Sequence, residues 1–251
     1  MAEPLAWALA LGLAGAIVGS FVAALAIRWP EGRSVIRGRS TCDSCHATLS
    51  PRELVPLLSF LVQRGRCRRC RARIDPFHAG VEATALLVGA AAGWIVPGGA
   101  GVAGAAFGWL LLALAALDLR AFWLPDRLTA LLALAGLGSG ATGIMPPIVD
   151  RLWGGAIGYA GLAAIAWGYR RWRGREGLGG GDPKLFGAIG LWLGWRMLPA
   201  VLLIAALVGL GAALVAHLRG AEVGRDTAMP FGTLLAVAAY PAWLAMIGWA
   251  A

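Results

Sequence analysis

The chain has 251 residues, 59% of them hydrophobic and 14% charged, with a mean hydropathy of +0.72. Soluble domains carry roughly 25% charged residues, so this composition excludes an ordinary water-soluble fold and predicts an integral membrane protein. The net charge of +9 reads mainly as topology, because lysine and arginine collect in cytoplasmic loops. A nucleic-acid binder would need one continuous basic face; here apolar stretches interrupt the charge, and no nucleic-acid partner is expected.

Uncharged stretches cover residues 4–27, 83–117, 128–149, 152–169, 185–195, 197–218 and 227–251. The second is too long for one crossing of ~20 residues, and Pro97-Gly98-Gly99 divides it. The pattern predicts an all-α polytopic protein with about eight transmembrane helices and a small cytoplasmic domain between the first two. The stretch at 185–195 is too short alone and is expected to borrow Asp182–Lys184 and Arg196 at its ends. The head Met1-Ala2-Glu3-Pro4 lacks the basic region of a signal peptide, so 4–27 reads as a retained anchor with its N-terminus outside. With eight alternating crossings, the inside segments 28–73, 118–127, 170–184 and 219–226 hold 20 of the 22 basic residues. Only Arg151 and Arg196 fall outside, a strong positive-inside signal. The expected organisation is a first span at 1–27, a cytoplasmic metal-binding domain at 28–78 and a membrane domain at 79–251.

All four cysteines lie in the soluble segment, as Cys42-Asp-Ser-Cys45 and Cys67-Arg-Arg-Cys70. Two C-x-x-C pairs at this separation suit a structural zinc site, each pair offering two thiolates from one tight turn. A redox pair or disulfides are the rival, disfavoured by a reducing cytoplasm. A shell of four thiolates leaves no open position for water, so the zinc would be structural. His46 is a spare candidate ligand. Arg64, Arg66, Arg68, Arg69, Arg71 and Arg73 crowd the second pair and read as a patch lying on anionic membrane lipid.

Two aspartates stand at span edges. Asp118 closes the third apolar stretch, and Asp182 opens the short sixth one after Gly179-Gly180-Gly181. Ionisable residues at a membrane boundary are expensive and point to function. Both fall at the same cytoplasmic depth, so they can meet. Facing each other in a partly dry cleft they would share one proton, the arrangement of an aspartyl protease. Glycines such as Gly179 and Gly181 let an extended substrate approach the carboxylate, and Pro183 suits a first helical turn. Lys184, the only lysine, neutralises nearby charge or snorkels. Asp126, after Pro125, reads as a helix N-cap. Plain capping of loops remains the alternative for Asp118 and Asp182. A transporter or channel with a cytoplasmic zinc ribbon, using the two acids as an ion path, is the alternative function. Glu82 caps the second span or pairs with an arginine, with nothing local to decide. Gly154, Gly158 and Gly161 suit helix packing within or between chains, which leaves the oligomeric state open.

Together these residues resemble the prepilin peptidase, or type IV leader peptidase, family. The resemblance runs through Gly19-Ser20-Phe21 with Arg28-Trp29-Pro30, the two cysteine pairs flanking Glu53-Leu54-Val55-Pro56, and Val81-Glu82. It continues in Asp118 with Leu124-Pro125-Asp126, Gly179-Gly180-Gly181-Asp182-Pro183-Lys184-Leu185, and Pro230-Phe231-Gly232. It implies a bacterial inner-membrane enzyme that cuts the basic leader from prepilins and pseudopilins of type IV pili or type II secretion at the cytoplasmic face. Many members also N-methylate the new terminus with S-adenosylmethionine. By the same resemblance Asp118 and Asp182, but not Asp126, are the catalytic pair; Gly179, Gly181 and Lys184 beside Asp182 are the expected substrate-binding residues. Ala23 stands where many members carry asparagine, in the region linked to methyl transfer.

Overall fold

The computed structural model describes residues 2–35, 39–221, 224 and 228–249. Arg37 and Arg225, counted above among the basic loop residues, lie outside the described residues, as do Thr227, Ala250 and Ala251 at the edges of the last apolar stretch. The described residues are helical, with two isolated β-bridges and no strand. In chain order the helices are α1 (Ala2–Arg28), the five-residue α2 (Leu58–Val62), α3 (Pro76–Ile95), α4 (Gly99–Ala121), α5 (Asp126–Ala141), α6 (Ile148–Arg173), α7 (Asp182–Leu193), α8 (Leu198–Leu218) and α9 (Phe231–Gly248).

Each expected apolar stretch thus becomes a helix, and Pro97-Gly98 separates α3 from α4 as anticipated. Five are long and apolar enough to cross a membrane: α1, α3, α4, α8 with its preceding turn from Trp195, and α9. The other three fall short for identifiable reasons. With 12 residues, α7 is ~18 Å long at 1.5 Å per residue, well under the ~30 Å hydrocarbon core. It does start at Asp182, but Gly194 (φ 71) stops it, so Arg196 belongs to the following turn. Likewise, α5 has only 16 residues. Charges burden both ends of α6, Asp150 in its first turn and Arg170, Arg171 and Arg173 in its last.

The chain divides into two compact units at Ala116–Leu117, within α4. In the first unit α1 and α3 approach backbone to backbone. A Cβ at Gly15 or Gly89 would overlap the carbonyls of Ala85 and Leu11, and one at Gly19 would sit 2.7 Å from Glu82 Cα. Small residues replace side-chain interdigitation here, as is usual where lipid supplies no hydrophobic drive between helices. The Trp109 indole N–H donates to Ala85 O at 2.9 Å.

In the second unit the same device joins α6 to α7. Gly154 lies against Gly190, and Gly158 against Phe186 and Gly187, while Gly161 meets nothing within 4 Å. Of the three α6 glycines named above, Gly154 and Gly158 therefore serve packing within the chain. Arg151, expected as a loop charge, is instead fully buried in the first turn of α6. Its guanidinium donates to Pro146 O, Gly136 O, Ser139 Oγ, Leu191 O, Ile144 O and Met145 O at 2.8–3.0 Å. It ties the carbonyl-rich ends of α5 and α7 to the 144–146 turn, where the helix dipoles favour a cation. The Trp192 indole adds a 2.8 Å bond to Leu132 O. These contacts fix the frame that carries Asp182.

Candidate active site

Asp118 lies in the last turn of α4, an unfavourable end of its own helix for an anion. The first turn of α9 offsets this. Thr233 donates to Asp118 Oδ2 through its backbone N–H at 2.7 Å and its hydroxyl at 3.1 Å, and the Gly232 N–H adds to them. The cap of α9 is Pro230, without a side-chain cap bond, so the free N–H groups of the first turn turn to a carboxylate 115 residues away in the chain.

Asp182 is the first residue of α7. A closed turn holds it: Gly179 N–H donates to Asp182 Oδ2 at 2.9 Å, and Asp182 N–H returns to Gly179 O at 3.1 Å. Pro183 occupies the expected first-turn place. Both aspartates are buried, and the charge of Asp118 acts on Asp182.

Leu124 is the wedge between their supports. A Cβ at Gly181 would lie 2.8 Å from Leu124 Cβ, and one at Gly232 would lie 2.9 Å from Leu124 Cδ1. The glycine before Asp182 therefore makes room for Leu124, whereas Gly180 meets nothing within 4 Å. Lys184 pairs with Asp126 at 2.7 Å on the exposed rim. Pro125 takes the cap position of α5, so Asp126 is its first helical residue and binds Lys184 instead of capping. The sequence pointed to no role for Thr233, and it showed Leu124 only within the Leu124-Pro125-Asp126 element, without a contact. The available signal for Thr233 was a span opening at Pro230 with no capping side chain of its own.

In the other unit, the two cysteine pairs form matched knuckles. Cys42 N–H donates to Ala47 O and His46 N–H to Cys42 O; Cys67 N–H donates to Ala72 O and Arg71 N–H to Cys67 O, all at 2.8–3.0 Å. Thr41–Thr48 and Arg66–Arg73 bridges close them. His46 (φ 55) and Arg71 (φ 61) hold equivalent left-handed positions, so His46 shapes the turn while four sulfurs form the cluster without it. The Sγ atoms lie within 4.8 Å of one another, with Cys42 and Cys70 at 3.9 Å. A tetrahedral zinc at ~2.3 Å from each thiolate needs sulfurs ~3.8 Å apart, so the set fits a metal ion after slight contraction. N–H groups of Cys70 and Arg69 draw the Cys67 thiol down to about 7. Against the N–H of Ala72, burial and the neighbouring thiols push Cys70 up to about 11. Four thiolates this close repel one another, which a divalent cation relieves.

Buried Glu82 on α3 accepts the Leu57 N–H at 2.7 Å. Leu57 (φ 59, ψ −48) centres a three-residue turn closed by Leu58 N–H to Pro56 O, a strained form that the carboxylate stabilises. Glu82, whose role was open, thus pins the four-cysteine segment to α3.

A profile described as the bacterial peptidase A24 N-terminal domain matches residues 13–96, and one of the type IV leader peptidase family matches residues 105–214. A prepilin leader peptidase/N-methyltransferase of Pseudomonas aeruginosa is 34% identical over 98% of this chain and 91% of its own length. The chain belongs to the type IV leader peptidase family. Two further members, from Aeromonas hydrophila and Dickeya chrysanthemi, carry the same description. They are 40% and 36% identical over 83% and 93% of this chain, covering 71% and 91% of their own lengths. No solved structure matches the chain. Apolar helices and family membership together make it a multi-pass inner-membrane protein, and the relatives favour a peptidase over a transporter.

Proposed function

We propose that this leader peptidase homologue removes the basic leader of prepilins or pseudopilins, with Asp118 and Asp182 as its catalytic pair. The observation that carries the reading is the pair itself. Two buried carboxylates from distant segments share one unit, interact through charge, and are each held by backbone donors. Water between them would attack the scissile carbonyl, one carboxylate taking its proton and the other polarising the carbonyl oxygen. Gly179, Gly181 and Lys184 lie along the substrate path: the first holds Asp182, the second seats the loop on Leu124, and the third marks the rim with Asp126.

In this reading residues 1–27 anchor the chain, 28–78 form a structural zinc domain and 79–251 form the peptidase, with the N-terminus outside and the site at the cytoplasmic face. Charge placement supports that orientation. The exposed Leu54, Val55, Leu58, Leu61 and Val62, beside a groove lined by Arg52, Arg64, Arg66, Arg68 and Arg71, support contact of this domain with anionic lipid.

N-methylation of the new terminus with S-adenosylmethionine is the second reading, supported by the description of the relatives. A cavity of about 200 Å³, bounded by Arg28, Glu53, Phe60, His78 and Glu82 among others, offers carboxylates and an aromatic face suited to a sulfonium cation. The test is incubation of the purified chain with a prepilin peptide and methyl donor, followed by mass spectrometry. Asp118→Ala and Asp182→Ala are each expected to abolish leader removal while protein still accumulates. Asp126→Asn should cost far less. Substantial cleavage by either alanine variant overturns the pairing, and a product heavier by one methyl group reports the second activity.

A further inference from the structure

The two carboxylates are held by unequal sets of donors. Asp118 Oδ2 accepts the Thr233 N–H and hydroxyl, with the Gly232 N–H alongside, at the N-terminus of the 18-residue α9. Among the described residues Asp182 accepts one N–H, from Gly179. Hydrogen bonds to the ionised form favour that form. Both acids meet a helix N-terminus, Asp118 that of α9 and Asp182 that of α7, so the donor count decides between them. Negative charge therefore prefers Asp118, and the shared proton prefers Asp182.

We infer that Thr233 is a positioning residue that divides the labour of the pair, fixing Asp118 as the base and leaving Asp182 as the acid. The inference rests on the reading of the two aspartates as catalytic. Water attacks the scissile carbonyl carbon as its proton passes to Asp118, and the Asp182 proton moves to the carbonyl oxygen, giving a neutral gem-diol. Asp118 then returns its proton to the amide nitrogen as the C–N bond breaks. Asp182 recovers one from a diol hydroxyl, and both carboxyls regain their starting states.

Charged residues at this end of the unit include Arg127 on α5 and Arg170, Arg171, Arg173, Arg175 and Glu176 at and beyond the end of α6, but the charge that acts on Asp182 is that of Asp118. The α9 first turn carries no ionisable side chain. Arg120 follows Asp118 on α4, and Asp126 of α5 is engaged with Lys184 of α7. The charge of Asp118 acts on Asp182, so in this assignment the two acids work as a pair.

Two measurements test the assignment. The first uses the wild-type chain in detergent with dicyclohexylcarbodiimide, which adds to protonated carboxyls, and peptide mass spectrometry to locate the adduct. Labelling of Asp182 in preference to Asp118 is expected, and the reverse preference overturns the inference without any variant having to fold. The second is the pH profile of kcat/KM for prepilin cleavage. Thr233→Val keeps the N–H and loses the hydroxyl, so the acidic limb should move up by about one pH unit, a tenfold effect, with the alkaline limb unmoved. Thr233→Ser should restore the wild-type profile. An unmoved acidic limb in Thr233→Val, or a shift in the alkaline limb instead, refutes the role of Thr233 while the catalytic pair stands. Retained cleavage by Asp118→Ala would instead remove the pair itself.

Discussion

Leu124 joins what the two aspartates separately need. Its side chain fills the space beside Gly181, which precedes Asp182, and beside Gly232, which precedes the residue that holds Asp118. Adding a methyl group at either glycine must push Leu124 or the backbone, because real Cβ contacts do not close below 3.0 Å. Gly181→Ala and Gly232→Ala are therefore expected to lower prepilin cleavage by about tenfold or more, equivalent to ~1.4 kcal/mol of transition-state stabilisation. Combining Gly232→Ala with Leu124→Ala should recover part of the loss, because the clash there is with Leu124 Cδ1, the coupling expected of side chains that share one space. Gly181→Ala meets Leu124 Cβ, which alanine retains, and should stay impaired. Strictly additive losses in the Gly232→Ala double variant would mean that Leu124 is not the shared contact. Asp118 and Asp182 were legible in the sequence because an acid beside an apolar span is conspicuous on energetic grounds alone. The role of Leu124 was not: it stood in the Leu124-Pro125-Asp126 element, but a leucine's contacts carry no signal until its neighbours are known. Thr233 hid for a related reason: its importance comes from a helix end that lacks a cap of its own.

At the level of elements, the spacing of the four cysteines foretold the sulfur cluster, but not the internal symmetry that builds it. The two knuckles repeat the same hydrogen bonds and the same left-handed residue, yet those residues are His46 and Arg71 where glycine would have advertised the turn. Helix ends were less legible than helix existence. Arg151 looked like a loop charge because an arginine is usually solvated; its six acceptors come from carbonyls and a hydroxyl that only the folded chain assembles. The knuckles yield the prediction at this scale. The purified chain should carry one zinc ion per molecule by elemental analysis. Cys42→Ser and Cys67→Ser should each lose it, since removing one of four thiolates opens a closed shell. Structural zinc supplies roughly 10–16 kcal/mol to small domains at neutral pH. Its loss should therefore leave the segment around residues 39–75 open to limited proteolysis while the membrane helices persist. Full zinc content in both variants would refute a four-sulfur site.

For the whole molecule, hydropathy and charge revealed a helical membrane protein and the apolar stretches that become its longer helices, whereas the contacts that join them remained invisible. Glycine pairs between α1 and α3 and between α6 and α7 replace side-chain interdigitation with backbone contact, and a glycine in sequence does not name its partner. Orientation is the remaining whole-molecule property, and it rests on 20 of the 22 basic residues falling in alternate loops. Moving such loops across the membrane is resisted because charge near span ends sets topology during insertion. The proposed arrangement places residues 97–99 and 142–147 outside and residues 170–181 and 219–226 inside. Gly99, Thr142, Arg171 and Ala221 are exposed positions in or beside these four segments, so a cysteine can be introduced at each with little disturbance. In intact spheroplasts a membrane-impermeant maleimide should label Gly99→Cys and Thr142→Cys. Arg171→Cys and Ala221→Cys should react only after the membrane is opened, as should the native cysteines, whose segment lies inside in the same scheme. The opposite pattern would invert the protein and place both aspartates away from a leader held in the cytoplasm. A mixed pattern within one side would mean that one of the short helices, α5 or α7, turns back without crossing.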